Sequence, residues 1–342
     1  MLYNVIRSVL FRFDAEKSHN MALKALNLFA SAGLLKLLFK PVINAPVTVM
    51  GLEFKNKVGL AAGLDKNARY IDALSQCGFG FIEVGTVTPV AQPGNDKPRL
   101  FRLPEASAII NRMGFNNEGV DQLIAAVKKS SYDGVIGINI GKNFSTAVEN
   151  AVDDYLICFA AVHAIADYVT INISSPNTPG LRSLQHGEAL QQLLSQLKLK
   201  QKELQSQSGR YVPLAVKIAP DLTEDEIKEL AETFLNTEID AVIATNTTFS
   251  RAGVEDLQYA DEQGGLSGKP VMQSSTEVVR QFCQLFDNKI PVIAVGGIMS
   301  AEDALEKMAA GAQLVQIYSG FIYKGPELVY QCARALADNQ SR

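Results

Sequence analysis

The chain has few of the residues that metal sites and disulfide frames require. Its 342 residues include no tryptophan and only three histidines. Because these histidines are few and widely spaced, a histidine metal cluster and a Ser-His-Asp triad are not expected. The four cysteines form no C-x-x-C pair: Cys77, Cys158, Cys283 and Cys332. We therefore expect reduced thiols in a cytoplasmic protein rather than a zinc site or a disulfide frame.

Charge and long apolar runs are also scarce. The net charge of −4 argues against nucleic-acid binding. No uncharged apolar run reaches the roughly 18 residues that a membrane span needs. We also expect no cleaved signal peptide, because no small-residue cleavage site follows an apolar core. A hydrophobic content of 47% instead favours one large folded unit with a sizeable core.

The first 40 residues differ from the rest of the chain. Apolar side chains from Leu2 to Phe13 recur at helical spacing, and Asp14 or Ser18 offers an N-cap for a second amphipathic helix. Six basic and two acidic residues give this segment a charge of +4. The pattern fits an interfacial anchor for an anionic membrane. It fits equally well a helical hairpin that docks on the main domain.

Beyond residue 45, short apolar runs alternate with amphipathic helical stretches. Eight runs read as buried strands: Val58–Ala61, Phe81–Val84, Val135–Asn139, Tyr168–Ile173, Leu214–Ile218, Ala241–Thr245, Val292–Val295 and Leu314–Ile317. This alternation predicts a (β/α)₈ TIM barrel over residues 41–342, with residues 1–40 as a small N-terminal helical extension. A doubly wound open sheet is the alternative, and polar or glycine-rich residues after every strand weaken it.

The loop Asn172–Arg182 is the most informative segment. It follows a predicted strand and carries amides, hydroxyls and an arginine, stiffened by Pro176 and Pro179. Because proline fixes φ and removes an amide donor, this stretch is neither helix nor central strand. It is a rigid polar loop at a strand end, where barrel enzymes place their chemistry.

Glycine-rich loops follow the last two predicted strands. Gly296-Gly297 and Ser319-Gly320 permit close backbone approach and offer free amides to an anion, which is typical of a barrel phosphate site. Tight turns alone are the simpler interpretation. Gly264–Gly268 adds a possible third side to this site.

Two lysines and a second amide-rich loop complete the predicted mouth. Lys66 and Lys217 follow strand ends, where a lysine neutralises an anion, forms a Schiff base or pairs with a barrel carboxylate. The loop Asn111–Asn117 suits the edge of a planar ligand. With no histidine or metal cluster, redox chemistry on bound flavin mononucleotide (FMN) fits better than hydrolysis.

These segments resemble the signatures of dihydroorotate dehydrogenases. The resemblance rests on Gly85–Pro89 through Gly94–Arg99 and on Val292–Ile298 through Gly311-Ala312, and it extends over essentially the whole chain. Ser175, where one class of the family has a cysteine, and the N-terminal extension resemble the membrane-associated, quinone-dependent class 2. The resemblance implies oxidation of dihydroorotate to orotate in pyrimidine synthesis, with FMN as a non-covalent cofactor.

The family also implies residue roles. Ser175 is the catalytic base, assisted by Lys66 and by a water relay at Thr178. The flavin-binding positions are Ala62, Gly63, Lys66, Thr86, Asn139, Asn172, Lys217, Thr245, Gly268, Gly297, Tyr318 and Ser319. The substrate-binding positions are Lys66, Asn111, Met113, Gly114, Phe115, Asn172, Asn177, Asn246 and Thr247.

The same resemblance assigns residues 1–40 to quinone access, with His19, Arg102 and Tyr318 at the quinone head. It implies a monomer held peripherally on the cytoplasmic side of the inner membrane, with a ubiquinone or menaquinone as partner and no metal. A dihydropyrimidine or dihydrouridine reductase, a Schiff-base lyase and a membrane-binding scaffold are the alternatives.

Overall fold

Eight parallel strands close into a barrel in the computed structural model, which describes residues 2–178 and 180–340. In order around the barrel they are β3 (Val58–Leu60), β4 (Phe81–Val87), β7 (Val135–Ile140), β8 (Tyr168–Asn172), β9 (Leu214–Ile218), β10 (Ala241–Ala244), β12 (Val292–Val295) and β13 (Leu314–Ile317). Each barrel strand pairs with the next along the chain, and β13 returns to β3. The predicted TIM barrel is confirmed, and closure excludes the open sheet.

The barrel strands are buried on both faces, as their near-continuous apolar sequences predict. Glycine makes room for the large interior rings. A Cβ on Gly59 would lie 2.2 Å from the ring of Phe81, and one on Gly137 would lie 2.1 Å from the ring of Tyr168. These two strand positions therefore have to be glycine for the rings to fill the barrel.

Helices surround the barrel and precede it. They are α1 (Leu2–Leu10), α2 (Ala15–Ser31), α3 (Leu35–Leu38), α4 (Ile71–Ser75), α5 (Val120–Val127), α6 (Ala151–Val162), α7 (Gly187–Ser208), α8 (Glu224–Asn236), α9 (Met272–Phe286), α10 (Ala301–Ala309), α11 (Ser319–Lys324) and α12 (Pro326–Gln340). Short 3₁₀ turns occupy Pro104–Ala106, Val148–Asn150, Leu181–Gln185 and Lys269–Val271.

Two small antiparallel sheets were not predicted from the sequence. The hairpin of β1 (Val47–Val49) and β2 (Leu52–Phe54) places Phe54 edge-on against Phe81, with ring centroids 4.9 Å apart, and so covers the N-terminal end of the barrel. The other sheet joins β5 (Leu100–Leu103), β6 (Ala108–Asn111) and β11 (Gly265–Gly268). Asn111 and Gly268 of this sheet line the cavity at the opposite end.

The N-terminal segment folds as helices that rest on the barrel. Asp14 is the N-cap of α2, its side chain accepting from the amide of Lys17 at 2.9 Å. Ser18, the other candidate cap, lies inside α2 and donates to the carbonyl of Leu10. None of the helices among the described residues has the length and apolarity needed to cross a bilayer.

The outer face of these helices is apolar and exposed, although Leu23 and Leu35 are buried. Its exposed apolar residues are Val5, Ile6, Val9, Phe13, Met21, Leu28, Phe29, Leu34, Leu37 and Leu38. The segment therefore docks on the barrel with one face and presents a second apolar face outward.

Candidate active site

One cavity opens at the C-terminal ends of the barrel strands. The empty space that its residues enclose, including the open mouth and adjoining solvent, is about 1050 Å³. It gathers most of the predicted site residues: Ala62, Gly63, Lys66, Thr86, Asn111, Met113, Gly114, Phe115, Asn172, Ser175, Asn177, Lys217, Thr245, Asn246, Thr247, Gly268, Gly297, Tyr318 and Ser319. Asn139, Thr178, His19 and Arg102 do not line it.

A row of hydrogen-bonded polar side chains forms one wall. Thr86 Oγ1 donates to Asn139 Oδ1 at 2.5 Å, and Asn172 Nδ2 donates to Thr86 Oγ1 at 3.0 Å. Asn246 Nδ2 reaches Asn172 Oδ1 at 3.4 Å. Asn139 thus supports the lining from behind, and the donor and acceptor atoms of Asn172 are held in one orientation.

A buried carboxylate anchors this row and was missed from the sequence. Glu83 is fully buried and accepts from Asn139 Nδ2 at 2.8 Å, Tyr168 Oη at 2.9 Å and Gln316 Nε2 at 2.7 Å. Because a carboxylate only accepts, it forces the amide nitrogen of Asn139 toward itself and the oxygen toward Thr86. In the sequence, the signal that could have identified Glu83 was a charged residue inside a predicted strand.

The serine loop packs closely over the cavity. Ser175 is 5% exposed, and its Oγ accepts from the amide of Asn177 at 3.3 Å. Arg182 holds the loop, donating to the carbonyls of Ser174 at 3.2 Å and Thr247 at 2.9 Å. Thr178 is buried in the same loop. Pro179, the second of the two prolines predicted to stiffen this loop, lies outside the described residues.

The two predicted lysines are both buried. Burial, aided by the charge of Arg99, lowers the pKa of Lys66 to about 7, and its Nζ donates to Asn116 Oδ1 at 2.5 Å. Burial also lowers the pKa of Lys217, while the charge of Glu83 raises it. Lys217 Nζ donates to none of the residues that the structure describes. The amine of Lys217 is therefore available to hydrogen-bond a ligand.

The glycine loops after β12 and β13 present free backbone amides. The amides of Gly297, Ser319 and Gly320 form no hydrogen bond with other described residues. A Cβ on Gly297 would lie 2.3 Å from Met272 Cα, and one on Gly320 would lie 2.1 Å from the carbonyl oxygen of Ile298. Free amides lining a cavity are suited to a phosphate group. Together with Lys217, they suit an anionic ligand that carries a phosphate group.

Two of the three predicted quinone-site residues, His19 and Arg102, lie at the N-terminal helices and outside the cavity lining. Burial and the charge of Lys66 lower the pKa of His19 to about 4, so the imidazole is neutral near pH 7 and hydrogen-bonds the carbonyl of Leu64. The guanidinium of Arg102 lies 4.4 Å from the ring centroid of Phe11. Tyr318, in contrast, lines the cavity.

A barrel whose mouth combines free backbone amides, buried lysines and a fixed row of side-chain amides is typical of (β/α)₈ enzymes. No group of three or more His, Cys, Asp or Glu within the described ranges could hold a metal ion. The comparisons with known proteins identify which barrel family this is.

Residues 44–339 match the family model of dihydroorotate dehydrogenase, and the chain belongs to this family of oxidoreductases. It is 58% identical over 336 residues to the dihydroorotate dehydrogenase (quinone) of Pseudomonas syringae, covering 98% of both chains. It is 59% identical over 329 residues to the protein of the same name from Aliivibrio fischeri, covering 96% of this chain and 98% of that one.

Solved structures agree with this assignment. The crystal structure of the Eimeria tenella enzyme (DHODH) in complex with ferulenol superposes with a TM-score of 0.88 at 37% identity, covering 96% of this chain and 92% of that one. The ligand-free form of the Eimeria tenella enzyme superposes with a TM-score of 0.86 at 38% identity, covering 94% and 95%.

Proposed function

We propose that this chain oxidises dihydroorotate to orotate in pyrimidine synthesis, with FMN as its bound cofactor and a membrane quinone as final electron acceptor. Family membership and the names of the relatives support the reaction. The observation that carries the cofactor is that one cavity is lined by the free amides of Gly297 and Ser319 and by Lys217, whose amine has no hydrogen bond to a described residue. Bound FMN would accept the hydride of the substrate and pass electrons onward.

The side chains divide between binding and proton transfer. Lys66 binds the substrate carboxylate, and the amides of Asn111, Asn177 and Asn246 hold the ring edges. Ser175 Oγ removes the proton from the substrate carbon next to the hydride-donating carbon. Because a free serine is a weak base, Thr178 relays this proton toward water, and the closed loop excludes bulk solvent.

The remaining flavin contacts are assigned to the lining of the cavity. Lys217 stabilises negative charge on the reduced ring, since it is a cationic donor in a water-poor site. Backbone at the two glycine loops and at Gly268 holds the phosphate. The other contacts are Ala62, Gly63, Thr86, Asn172, Thr245, Tyr318 and Ser319, and Asn139 supports Thr86 and Asn172 from behind the lining. Met113, Gly114, Phe115 and Thr247 complete the substrate pocket.

Residues 1–40 are proposed as the quinone-access segment and residues 41–342 as the catalytic domain. The exposed apolar face of α1 to α3 would insert into the headgroup region, and basic residues would attract anionic lipid. His19, Arg102 and Tyr318 would contact the quinone head. The protein would work as a monomer, bound peripherally at the cytoplasmic side of the inner membrane.

The test is an absorbance spectrum of the purified protein before and after anaerobic dihydroorotate. Flavin bands that bleach with dihydroorotate and return with a ubiquinone analogue, but not with fumarate or NAD⁺, would support the proposal. A flavin spectrum unaffected by dihydroorotate would instead favour a dihydropyrimidine or dihydrouridine reductase.

A colourless protein that FMN cannot reconstitute would contradict the cofactor assignment. Borohydride trapping of substrate on Lys66 or Lys217 would then favour the Schiff-base lyase, since burial lowers the pKa of both amines. If the protein binds lipid but shows neither flavin reduction nor borohydride trapping, the membrane-binding scaffold is the alternative that remains.

A further inference from the structure

The signature segment Gly94–Arg99 has no role in the proposed reaction, yet Arg99 is one of the most heavily bonded side chains of the molecule. It is 6% exposed. Its Nε and Nη2 donate to both carboxylate oxygens of Glu16, at 3.2 and 2.8 Å. Its Nη1 donates to the carbonyls of Pro93 and Asn95, each at 2.7 Å. One guanidinium thus joins helix α2 to the loop before β5.

The same loop holds the substrate loop 111–115 by backbone contacts. The amide of Asn95 donates to the carbonyl of Met113 at 3.2 Å, and Asn95 Nδ2 donates to the carbonyl of Arg112 at 2.9 Å. The amide of Arg112 donates back to the carbonyl of Arg99 at 2.9 Å. Gly94 packs so closely that a Cβ there would lie 2.2 Å from the Met113 carbonyl oxygen. Met113 therefore has little freedom while this loop is in place.

The pair between Glu16 and Arg99 is buried, which makes its loss costly. Burial disfavours ionisation of Glu16, but the hydrogen bonds from Arg99 and then Lys97 outweigh it and lower its pKa. Lys97 approaches at 3.2 Å from an exposed position. Removing the Glu16 charge would leave Arg99 buried without its counter-charge, which destabilises the local arrangement strongly.

Glu16 also affects the pKa of two ionisable residues, His19 and Lys66. Burial lowers the pKa of both His19 and Lys66, and the carboxylate of Glu16 raises both. The pair is thus close both to the segment assigned to quinone and to the lysine assigned to the substrate carboxylate.

We propose that Glu16 and Arg99 are positioning residues that couple helix α2 to the substrate loop 111–115, so that dihydroorotate affinity depends on α2 being docked. This inference rests on the proposed function. Arg99 holds the 93–95 turn through its Nη1 bonds only while Glu16 fixes the other side of the guanidinium. Release of Glu16 frees the turn and, through Asn95, loosens Met113 at the cavity wall.

The test is Glu16→Gln, which keeps the shape and removes the charge. We expect the dissociation constant of orotate and the KM of dihydroorotate to rise roughly tenfold, a size within the coupling range of buried charge networks. The FMN dissociation constant and the flavin reduction rate at saturating substrate should stay within about twofold of wild type. If Glu16 only stabilised the fold, its replacement would not raise the KM of dihydroorotate while leaving the flavin reduction rate at saturating substrate nearly unchanged.

Two controls isolate the coupling. Lys97→Gln removes only the exposed arm, and the orotate dissociation constant should stay within about twofold. Leu336→Ala, on the distant helix α12, supplies a matched loss of thermal stability because Leu336 is buried there. Equal loss of orotate affinity in Leu336→Ala and Glu16→Gln would overturn the proposal.

Wild-type orotate affinity in Glu16→Gln would also overturn it, while leaving the proposed function intact. Absence of orotate binding in the wild-type holoprotein would instead contradict the proposed function. If Glu16→Gln does not fold, Glu16→Asp keeps the charge with a shorter reach. That variant should show an intermediate rise in the orotate dissociation constant, and an unchanged value would count against the coupling.

Discussion

Lys217 lies in register with Asn172 on the neighbouring barrel strand, and both side chains line the cavity. The two side chains differ in their hydrogen bonds to the protein. Asn172 Nδ2 is held by Thr86 and Asn139, whereas Lys217 Nζ donates to no described residue. A fixed amide beside an amine that is free to bind is an arrangement that can orient a planar ligand and, once the amine is protonated, stabilise negative charge on it.

Replacing Lys217 with Met should make the bound flavin harder to reduce. Loss of the ammonium removes the stabilisation of the anionic reduced ring, so the midpoint potential should become more negative. Flavin reduction by dihydroorotate should slow about 100-fold, the usual effect of removing one such donor. Spectroelectrochemical titration measures the potential directly. Lys269→Met, which removes an exposed charge next to Gly268, is the matched control, and an equal shift there would contradict the role of Lys217.

Ser175→Ala should leave a folded yellow protein whose flavin is reduced very slowly. The missing hydroxyl is the proposed base, and general-base catalysis contributes about 10²- to 10⁴-fold. Anaerobic stopped-flow mixing with dihydroorotate measures the step. Ser183→Ala alters an exposed hydroxyl in the 3₁₀ turn that follows the loop of Ser175, and its flavin should be reduced at the wild-type rate. Normal single-turnover reduction in Ser175→Ala would rule out the assignment.

Orotate binding should weaken as the pH rises above about 7. Burial, the largest cause, lowers the pKa of Lys66 to about 7 in the free protein, whereas a bound carboxylate favours its charged form. Binding above that pH therefore takes up a proton, and the dissociation constant should rise by up to about tenfold per pH unit. Calorimetry in buffers of different ionisation enthalpy counts the protons.

Lys66→Met should bind orotate weakly at every pH and without this proton uptake. Proton uptake of wild-type size in Lys66→Met would assign the linkage to another group, such as Lys217, whose pKa burial also lowers.

Deletion of residues 1–40 should abolish quinone reduction and spare flavin binding. The deleted helices carry the exposed apolar face and His19, whereas the lining of the cavity lies wholly beyond residue 60. Because Glu16 is also removed, the KM for dihydroorotate should rise as in Glu16→Gln. Quinone turnover and flavin content are measured on the same preparation, and unchanged quinone turnover would refute the access role.

Much of the barrel is predictable from the sequence because each strand is a short apolar run followed by polar or glycine residues. The eight predicted strands match the eight observed ones with small boundary shifts, such as Phe81–Val84 extending to Val87. The sheet of β5, β6 and β11 was not predicted. Its partners Ala108 and Gly268 are far apart along the chain, and the sequence of β11 has no apolar alternation.

The cavity lining is predictable because it comes from loops whose composition is unusual. The contacts that support this lining from behind are not predictable from the sequence. Glu83 and Arg99 each bond to partners distant in sequence, and no local pattern indicates such a pair. Their places, inside a strand and at the end of a signature, show only that a charged residue is present.

Arg102 attaches the N-terminal segment to the barrel through hydrogen bonds to main-chain carbonyls, in addition to its contact with the ring of Phe11. Its guanidinium donates to the carbonyls of Leu10 at 3.3 Å, Phe11 at 3.4 Å and Phe13. Main-chain carbonyls are the same whatever side chains they carry. The outward residues of α1 can therefore change without loosening these hydrogen bonds.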